Sequence, residues 1–290
     1  GTFHGLCNRF LRAHWKLAGL PQGFQILDAS DQVAAVKRVV KAMALDEERF
    51  PPKQAAYFIS GSKEEGLRPQ NIDAPDPHTA KLIEVYAAYE AQCQREGVVD
   101  FGELMLRSYE LMRDNDAVRE HYRRRFAHVL VDEFQDTNKL QYKWLQMFAP
   151  PEPPKGVFAV GDDDQSIYAF RGAQVGNMAD FEREYGVQQV IKLEENYRSF
   201  GNILDAANAL IANNKKRLGK NLWTAGGAGD PLRVFEGQSD VDEAAAEVER
   251  VVRQNSSRIA SKEAEKKNKA KALEIRERLV AHLLNIDDEL

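Results

Sequence analysis

Apolar residues recur at helical spacing through the first 126 positions of the chain. Leu6, Phe10 and Leu11 share one helical face, and Val33, Val36, Val39, Val40 and Met43 repeat at the same period after Asp31. A further helix is expected over Thr79 to Glu96, with Leu82, Val85, Tyr86 and Tyr89 on its buried side. Val99-Asp100-Phe101 reads as a cap that opens another helix, through Leu104, Leu106 and Leu111. Pro51-Pro52 and the stretch from Arg68-Pro69 to Pro77 punctuate the region as loops.

From His128 the period changes. Short apolar runs at 129–131, 157–160 and 190–193 alternate with helical segments, the pattern of βαβ construction, and 231–235 is another candidate strand. Runs of this length, bounded by turn residues, predict buried strands of a mostly parallel sheet. The expected fold class is therefore α/β, with a mainly helical region before the sheet. Four regions are expected: helical over 1–127, two partial α/β domains over 128–190 and 191–255, and a charged helical tail over 256–290. In that tail Ile275, Leu279, Leu283 and Ile286 share a face, which reads as a solvated amphipathic helix.

Composition narrows the class. The chain has 290 residues, with 45 acids against 40 bases and a net charge of −5, which excludes a histone-like binder but permits a local basic groove. Cys7 and Cys93 stand far apart with no CxxC or Cys/His cluster, so they read as small buried apolar residues. No apolar run approaches a membrane span and no signal pattern is present, which predicts a cytoplasmic protein. The opening Gly1-Thr2-Phe3-His4 has no initiator methionine and reads as the middle of a longer chain.

Two acid-rich turns carry the candidate chemistry. The first closes the run Val129-Leu130-Val131 with Asp132-Glu133-Phe134-Gln135-Asp136-Thr137-Asn138. The second closes Val157-Phe158-Ala159-Val160 with Gly161-Asp162-Asp163-Asp164-Gln165-Ser166. In parallel sheets ligands bind off the carboxyl ends of the strands, where both turns would lie. Carboxylates there suit magnesium, which keeps several waters and bridges to phosphate oxygens. Asp132 and Glu133 are the metal-side pair, and Glu133 can also deprotonate a water attacking the γ-phosphate of ATP. Three adjacent carboxylates at 162–164 would repel unless cations offset them. The Gln165 amide can donate to a phosphate oxygen and accept from water at once, as a γ-phosphate sensor must. Tyr168, Phe170 and Arg171 follow it, and such side chains stack on unpaired bases, although aromatics so spaced are as often core. Arg198, after the run at 190–193, is an arginine-finger candidate; pairing with Glu194 or Glu195 is the plainer reading of it.

Taken together these strings closely resemble the UvrD/Rep/PcrA group of superfamily 1 DNA helicases, from Gly1 to about Gln254, with the tail outside the match. Gly1-Thr2-Phe3-His4-Gly5 is similar to the group's Thr-x-His motif, Asp132 to Asp136 to motif II, Gly161 to Ala173 to motif III, and Leu193 to Ser199 to motif IV. Phe24 to Asp28 and Gly66 to Pro69 resemble the helical insertion called 1B. The resemblance implies RecA-like domains, with Asp132 on magnesium, Glu133 as base and Gln165 as the coupling residue. It further implies that Tyr197 stacks on adenine and that Arg198 reaches the γ-phosphate from the second RecA-like domain. Thr2 and His4 would touch single-stranded DNA, and Tyr168, Phe170 and Arg171 would lie beneath its bases. Phe170 stands where the group usually carries tryptophan, so stacking there should be weaker.

The implied activity is ATP-driven 3′→5′ translocation on single strands and unwinding at single-strand/duplex junctions, in repair and replication and alongside repair proteins. No Gly-x-x-x-x-Gly-Lys-Ser/Thr loop occurs in the chain, so the phosphate-binding loop is expected before Gly1 and motifs V and VI beyond Gln254. The isolated chain is accordingly expected to hydrolyse ATP very slowly or not at all. The alternative is a non-catalytic module that binds single strands or a protein partner. A nuclease-linked relative of the same group is a third reading.

Overall fold

The computed structural model describes residues 1–152, 156–166, 176–214, 217, 219–234, 236–239, 242, 244, 245 and 249. The described residues fall into two compact units, one of those within 1–195 and 207–222, the other of those within 196–206 and from 223 to 249. It is a mixed α/β protein of short parallel sheets and many helices.

The first unit begins with helix α1 (Phe3–Ala13), capped by the Thr2 hydroxyl, which accepts from the Gly5 amide at 3.2 Å. Its buried face is Cys7, Phe10 and Leu11, whereas Leu6, expected on that face, is exposed. Helices α2 (Ala29–Ala42), α3 (Pro52–Glu64) and α4 (Pro77–Glu96) follow, with Asp28 and Asp76 as side-chain caps. Gly97 then adopts φ 68°, the left-handed helix stop that glycine supplies without steric cost. Two short strands, β1 (Gln25–Ile26) and β2 (Val98–Val99), pair in parallel and lead into α5 (Phe101–Asp114), capped by Asp100. Helix α6 (Asp116–Arg125) completes the helical region.

Two apolar cores result. Valines of α2, Ile59 of α3, and Val85, Tyr86 and Tyr89 of α4 make one. Leu11 of α1, Leu104, Leu106 and Met112 of α5, and Trp144 make the other. Ions join the helices of these cores. Lys63, only 2% exposed, donates from α3 to Asp100 Oδ2 at 2.8 Å and lies 3.0 Å from Glu103 Oε2. Arg68 grips Glu103 at 2.8 and 3.0 Å, Glu110 at 2.8 and 2.5 Å, and Glu90. Arg107 adds a bond to Glu103 at 2.6 Å. Burial alone would raise the Glu103 carboxyl, but Lys63, Arg68 and Arg107 overcome it and hold the group well below the usual range.

The α/β part follows. Strand β3 (His128–Val131) pairs in parallel with β4 (Gly156–Ala159), Leu130 opposite Phe158 and Val131 opposite Ala159. Alternation sends Val129, Val131 and Ala159 into a core with Phe134, Tyr142 and Leu145. Leu130 and Phe158 share the other face, which is exposed. Helix α7 (Lys139–Phe148) opens with a capping box between Asn138 and Gln141 and packs on α5; α8 (Gly176–Glu184) follows. The expected strands at 190–193 and 231–235 do not appear among the described residues: 190–193 and 231–234 carry no ladder, and residue 235 lies outside them. Helix α9 (Gly201–Ile211) contains the division between the units. The tail over 256–290 lies outside the described residues.

Candidate nucleotide and nucleic-acid site

Both acid turns leave the carboxyl ends of neighbouring parallel strands, as the apolar runs predicted. The ladder continues past the strands to join them: Val160 N–H donates to Val131 O at 2.8 Å, and Phe134 N–H to Val160 O at 2.9 Å. Asp132 and Glu133 are exposed there, and the Glu133 amide donates to Asp132 Oδ1 at 3.0 Å. Glu133 has φ 51° and ψ 44°, a left-handed conformation costing a side-chain-bearing residue about 1–2 kcal/mol. Ala44, the other described non-glycine residue with positive φ, comes just after the end of α2, where such a conformation terminates the helix. Glu133 has no helix to end; strain of this kind collects at functional positions.

Gln135 holds the two turns together, a role that no local pattern announces. Its fully buried amide donates from Nε2 to Glu133 Oε2 at 2.8 Å, while Oε1 accepts from the Asp162 N–H at 2.9 Å. Gly161 lets the second turn approach this closely, because a Cβ there would lie 2.8 Å from Gln135 Oε1. From α8, Asn177 donates to Thr137 O at 2.8 Å and braces the first turn behind the carboxylates. Asp136 has one oxygen, Oδ1, buried and unpaired among the described residues, and its carboxyl is raised by burial and by Glu133.

The second turn is a 3₁₀ turn over Asp163–Gln165, with Asp162 accepting from the Asp164 amide at 3.1 Å. Gln165 is exposed, and its Nε2 donates to Asp162 Oδ2 at 2.5 Å. Oxygens of Asp162, Asp163 and Asp164 lie within 4.8 Å of one another, a spacing that could suit a metal. However, Lys220 pairs with Asp162 and Arg217 with Asp164, so the repulsion expected of three acids is offset from within the chain. Burial raises Asp162, but hydrogen bonds from Lys220 and Gln165 outweigh it and hold the carboxyl below its ordinary range. The exposed Asp132–Glu133 pair offers the hard oxygen donors that magnesium prefers.

At the other candidate surface, Thr2 is exposed at the start of α1 and His4 sits edge-on to Phe101, ring centroids 5.8 Å apart. Burial lowers the His4 pKa, so the imidazole is neutral near pH 7 and presents both a donor and an acceptor. Half of Phe101 remains exposed beside it. In the sequence Phe101 reads only as part of a cap; the signal it offers is an aromatic in the first turn of a helix, off the apolar face. Tyr168, Phe170 and Arg171 lie outside the described residues.

Tyr197 and Arg198 belong to the second unit. The Asn196 side chain accepts from the Arg198 and Ser199 amides at 2.9 and 2.8 Å, an Asx turn that leaves both Tyr197 and Arg198 exposed.

Residues 1–186 match the family model of the UvrD/REP helicase N-terminal domain, with both acid turns inside the match. The chain belongs to the UvrD/Rep helicase family. Residues 191–285 match the UvrD-like helicase C-terminal domain, which carries the likeness well past Gln254 and into the tail that the sequence reading placed outside it. Among curated proteins the chain is 50% identical over 252 residues to DNA helicase II of Escherichia coli K12, covering 87% of this chain and 35% of that protein. It is 40% identical over 266 residues to a probable DNA helicase II homolog of Rickettsia felis, covering 88% and 40%. To the ATP-dependent DNA helicase PcrA of Staphylococcus epidermidis it is 37% identical over 254 residues, covering 87% and 35%. The chain thus spans roughly a third of the length of these relatives. Within this UvrD/Rep chain, the first unit brings Asp132, Glu133 and Gln165 to one sheet end through Gln135, and sets Thr2 and His4 on α1.

Proposed function

We propose that this chain forms part of an ATP-dependent DNA helicase that moves 3′→5′ along single-stranded DNA and opens duplex at junctions. The observation that carries the reading is the pair of acid turns at adjacent parallel strand ends, bonded to one another through Gln135. Asp132 would hold the magnesium of MgATP, and Glu133 would accept the proton of the attacking water at a carboxylate already oriented by Gln135. Bound magnesium supplies charge neutralisation at the β- and γ-phosphate oxygens. Gln165, exposed beside Asp162, would read the γ-phosphate. Tyr197 would stack on adenine and Arg198 would serve as the arginine finger; the Asn196 turn leaves both side chains exposed. Thr2, His4 and Phe101 would contact the single strand, joined by Tyr168, Phe170 and Arg171. The 1–127 region is the 1B-like insertion in this reading, and 128–190 and 191–255 are parts of two RecA-like domains.

The test is oligo-dT-stimulated ATP hydrolysis in a chain extended to the relatives' full length. Glu133→Gln is expected to lower kcat by about 10²–10⁴-fold, the usual effect of removing a general base. Turnover within about twofold of the parent would overturn the assignment.

A further inference from the structure

Arg217 and Lys220 take hold of the second acid turn from a distant part of the first unit. Arg217 meets Asp164 with its fork, Nε to Oδ1 at 2.9 Å and Nη2 to Oδ2 at 2.5 Å, while the Lys220 ammonium pairs with Asp162 Oδ1. Nη2 of Arg217 also donates to the Lys220 carbonyl at 2.8 Å, which pins the two cations to each other. These are not free surface pairs, for Asp164 keeps only 10% of its side-chain exposure and Lys220 only 19%. Ion pairs left in water contribute little, whereas a two-point guanidinium–carboxylate fork in a partly dry site fixes geometry.

The segment carrying the cations is itself anchored. Lys192 Nζ donates to Gly219 O at 2.5 Å, and Glu194 Oε1 accepts from the Asn221 amide at 2.9 Å. On α9, the Asn208 side chain donates to Leu222 O at 2.8 Å and accepts from Leu222 N at 3.1 Å, reproducing both bonds of a strand pair. At the other end Asp162 is the hub for Gln165. Its Oδ2 accepts from Gln165 Nε2 at 2.5 Å and its carbonyl accepts from the Gln165 amide at 2.9 Å. Lys220 and Gln165 thus share one carboxylate.

We propose that Arg217 and residues 219–222 form a strap in which Arg217 and Lys220 are positioning residues for Gln165, tying the sensor turn to the 192–194 segment and to Asn208 of α9. The strap converts an acid triplet into an ion-paired dock and leaves the metal to Asp132. A change in what Gln165 touches then loads the Asp162 carboxylate, and through Lys220 and Arg217 it reaches the segment that leads to Asn196. This coupling role rests on reading Gln165 as the γ-phosphate sensor; the mechanical role does not.

Hydrogen exchange on the chain tests the mechanics. Arg217→Ala and Lys220→Ala are each expected to speed exchange of the Gln165 amide about tenfold or more, with α7 amides unchanged as the control for folding. The charge-swapped pair Asp164→Arg with Arg217→Asp is expected to recover most of that protection, as a purely local disruption would not. Gln165 exchange unchanged in both single variants overturns the strap. In a chain of the relatives' full length, Arg217→Ala is expected to leave the KM for ATP within about twofold but lower oligo-dT stimulation of kcat about tenfold. Faster Gln165 exchange with undiminished stimulation supports the strap as a brace and overturns its coupling role. If the Glu133→Gln variant also keeps its turnover, the nucleotide reading itself has failed.

Discussion

Charge is used in opposite ways in the helical region and at the strand ends. Around Lys63 and Arg68, three cations meet four carboxylates inside packed helices, with Tyr89 donating to Asp100 at 2.8 Å besides. At the strand ends, Asp132 and Glu133 face water, Glu133 is held left-handed, and Asp136 keeps a buried oxygen unpaired among the described residues. The first arrangement answers these charges from within the chain. The second leaves oxygens available at a strained, braced position, as a site that must meet a cation and a water requires. Burial and satisfaction, more than charge density, separate architecture from chemistry here.

The comparison predicts its largest effect in the helical region. Lys63→Ala would leave Asp100 and Glu103 short of a cation in the interior and is expected to cost about 3–5 kcal/mol in urea unfolding. Asp132→Asn, at the exposed turn, is expected to change stability by no more than about 0.5 kcal/mol. Equal costs at the two positions would break the contrast. Next in size is Gln135→Leu. It removes the side-chain bond from the Asp162 amide between the turns and the bond to Glu133 within the first turn, and is expected to cost about 1–3 kcal/mol, with faster exchange at the Asp162 amide. Unaltered Asp162 exchange would mean that the turns are held independently.

Glu133 sharpens the strain argument. Glu133→Gly and Glu133→Ala both lose the bond from Gln135, but only glycine relaxes the left-handed backbone. The glycine variant is therefore expected to be about 1 kcal/mol more stable than the alanine variant in thermal unfolding, although neither retains a base. Equal stability would remove strain from the account of this turn.

Smallest is the pH effect. Burial lowers the pKa of His4, and burial with the neighbouring His121 lowers that of His14, so the unfolded chain binds more protons than the folded one near pH 6. Stability should be fully present above the unfolded value of about 6.5 and decline as pH falls through it. His4→Gln should flatten that slope in unfolding midpoints measured between about pH 5 and 7. A slope unchanged by His4→Gln and His14→Gln together would show that neither ring contributes.

The placing of the two acid turns in the candidate site was legible because its signals are local. A strand end, a run of acids and the Asp100 cap each occupy a few adjacent residues, and the helix expected over Thr79 to Glu96 was observed as Pro77–Glu96. What was hidden is long-range. Lys63 looks like any solvated lysine on a helix until Asp100 and Glu103 arrive from α5, and Arg217 is 53 residues from Asp164. β-Branched composition predicts a strand at 190–193, but a strand needs a ladder partner, and here that exposed run carries no ladder. The two-residue strands β1 and β2 are too short for any period to reveal.

In the proposed reading a single metal–nucleotide site sits at Asp132 and Glu133, while Asp162 and Asp164 of the neighbouring triplet pair with Lys220 and Arg217. Paramagnetic broadening of backbone amides by manganese and an ATP analogue, in a chain of the relatives' full length, tests it most directly. Broadening centred on the Asp132 and Glu133 amides, and reaching Gln165, is the predicted result. Broadening centred on Asp163, with the Asp132 amide unaffected, would contradict it.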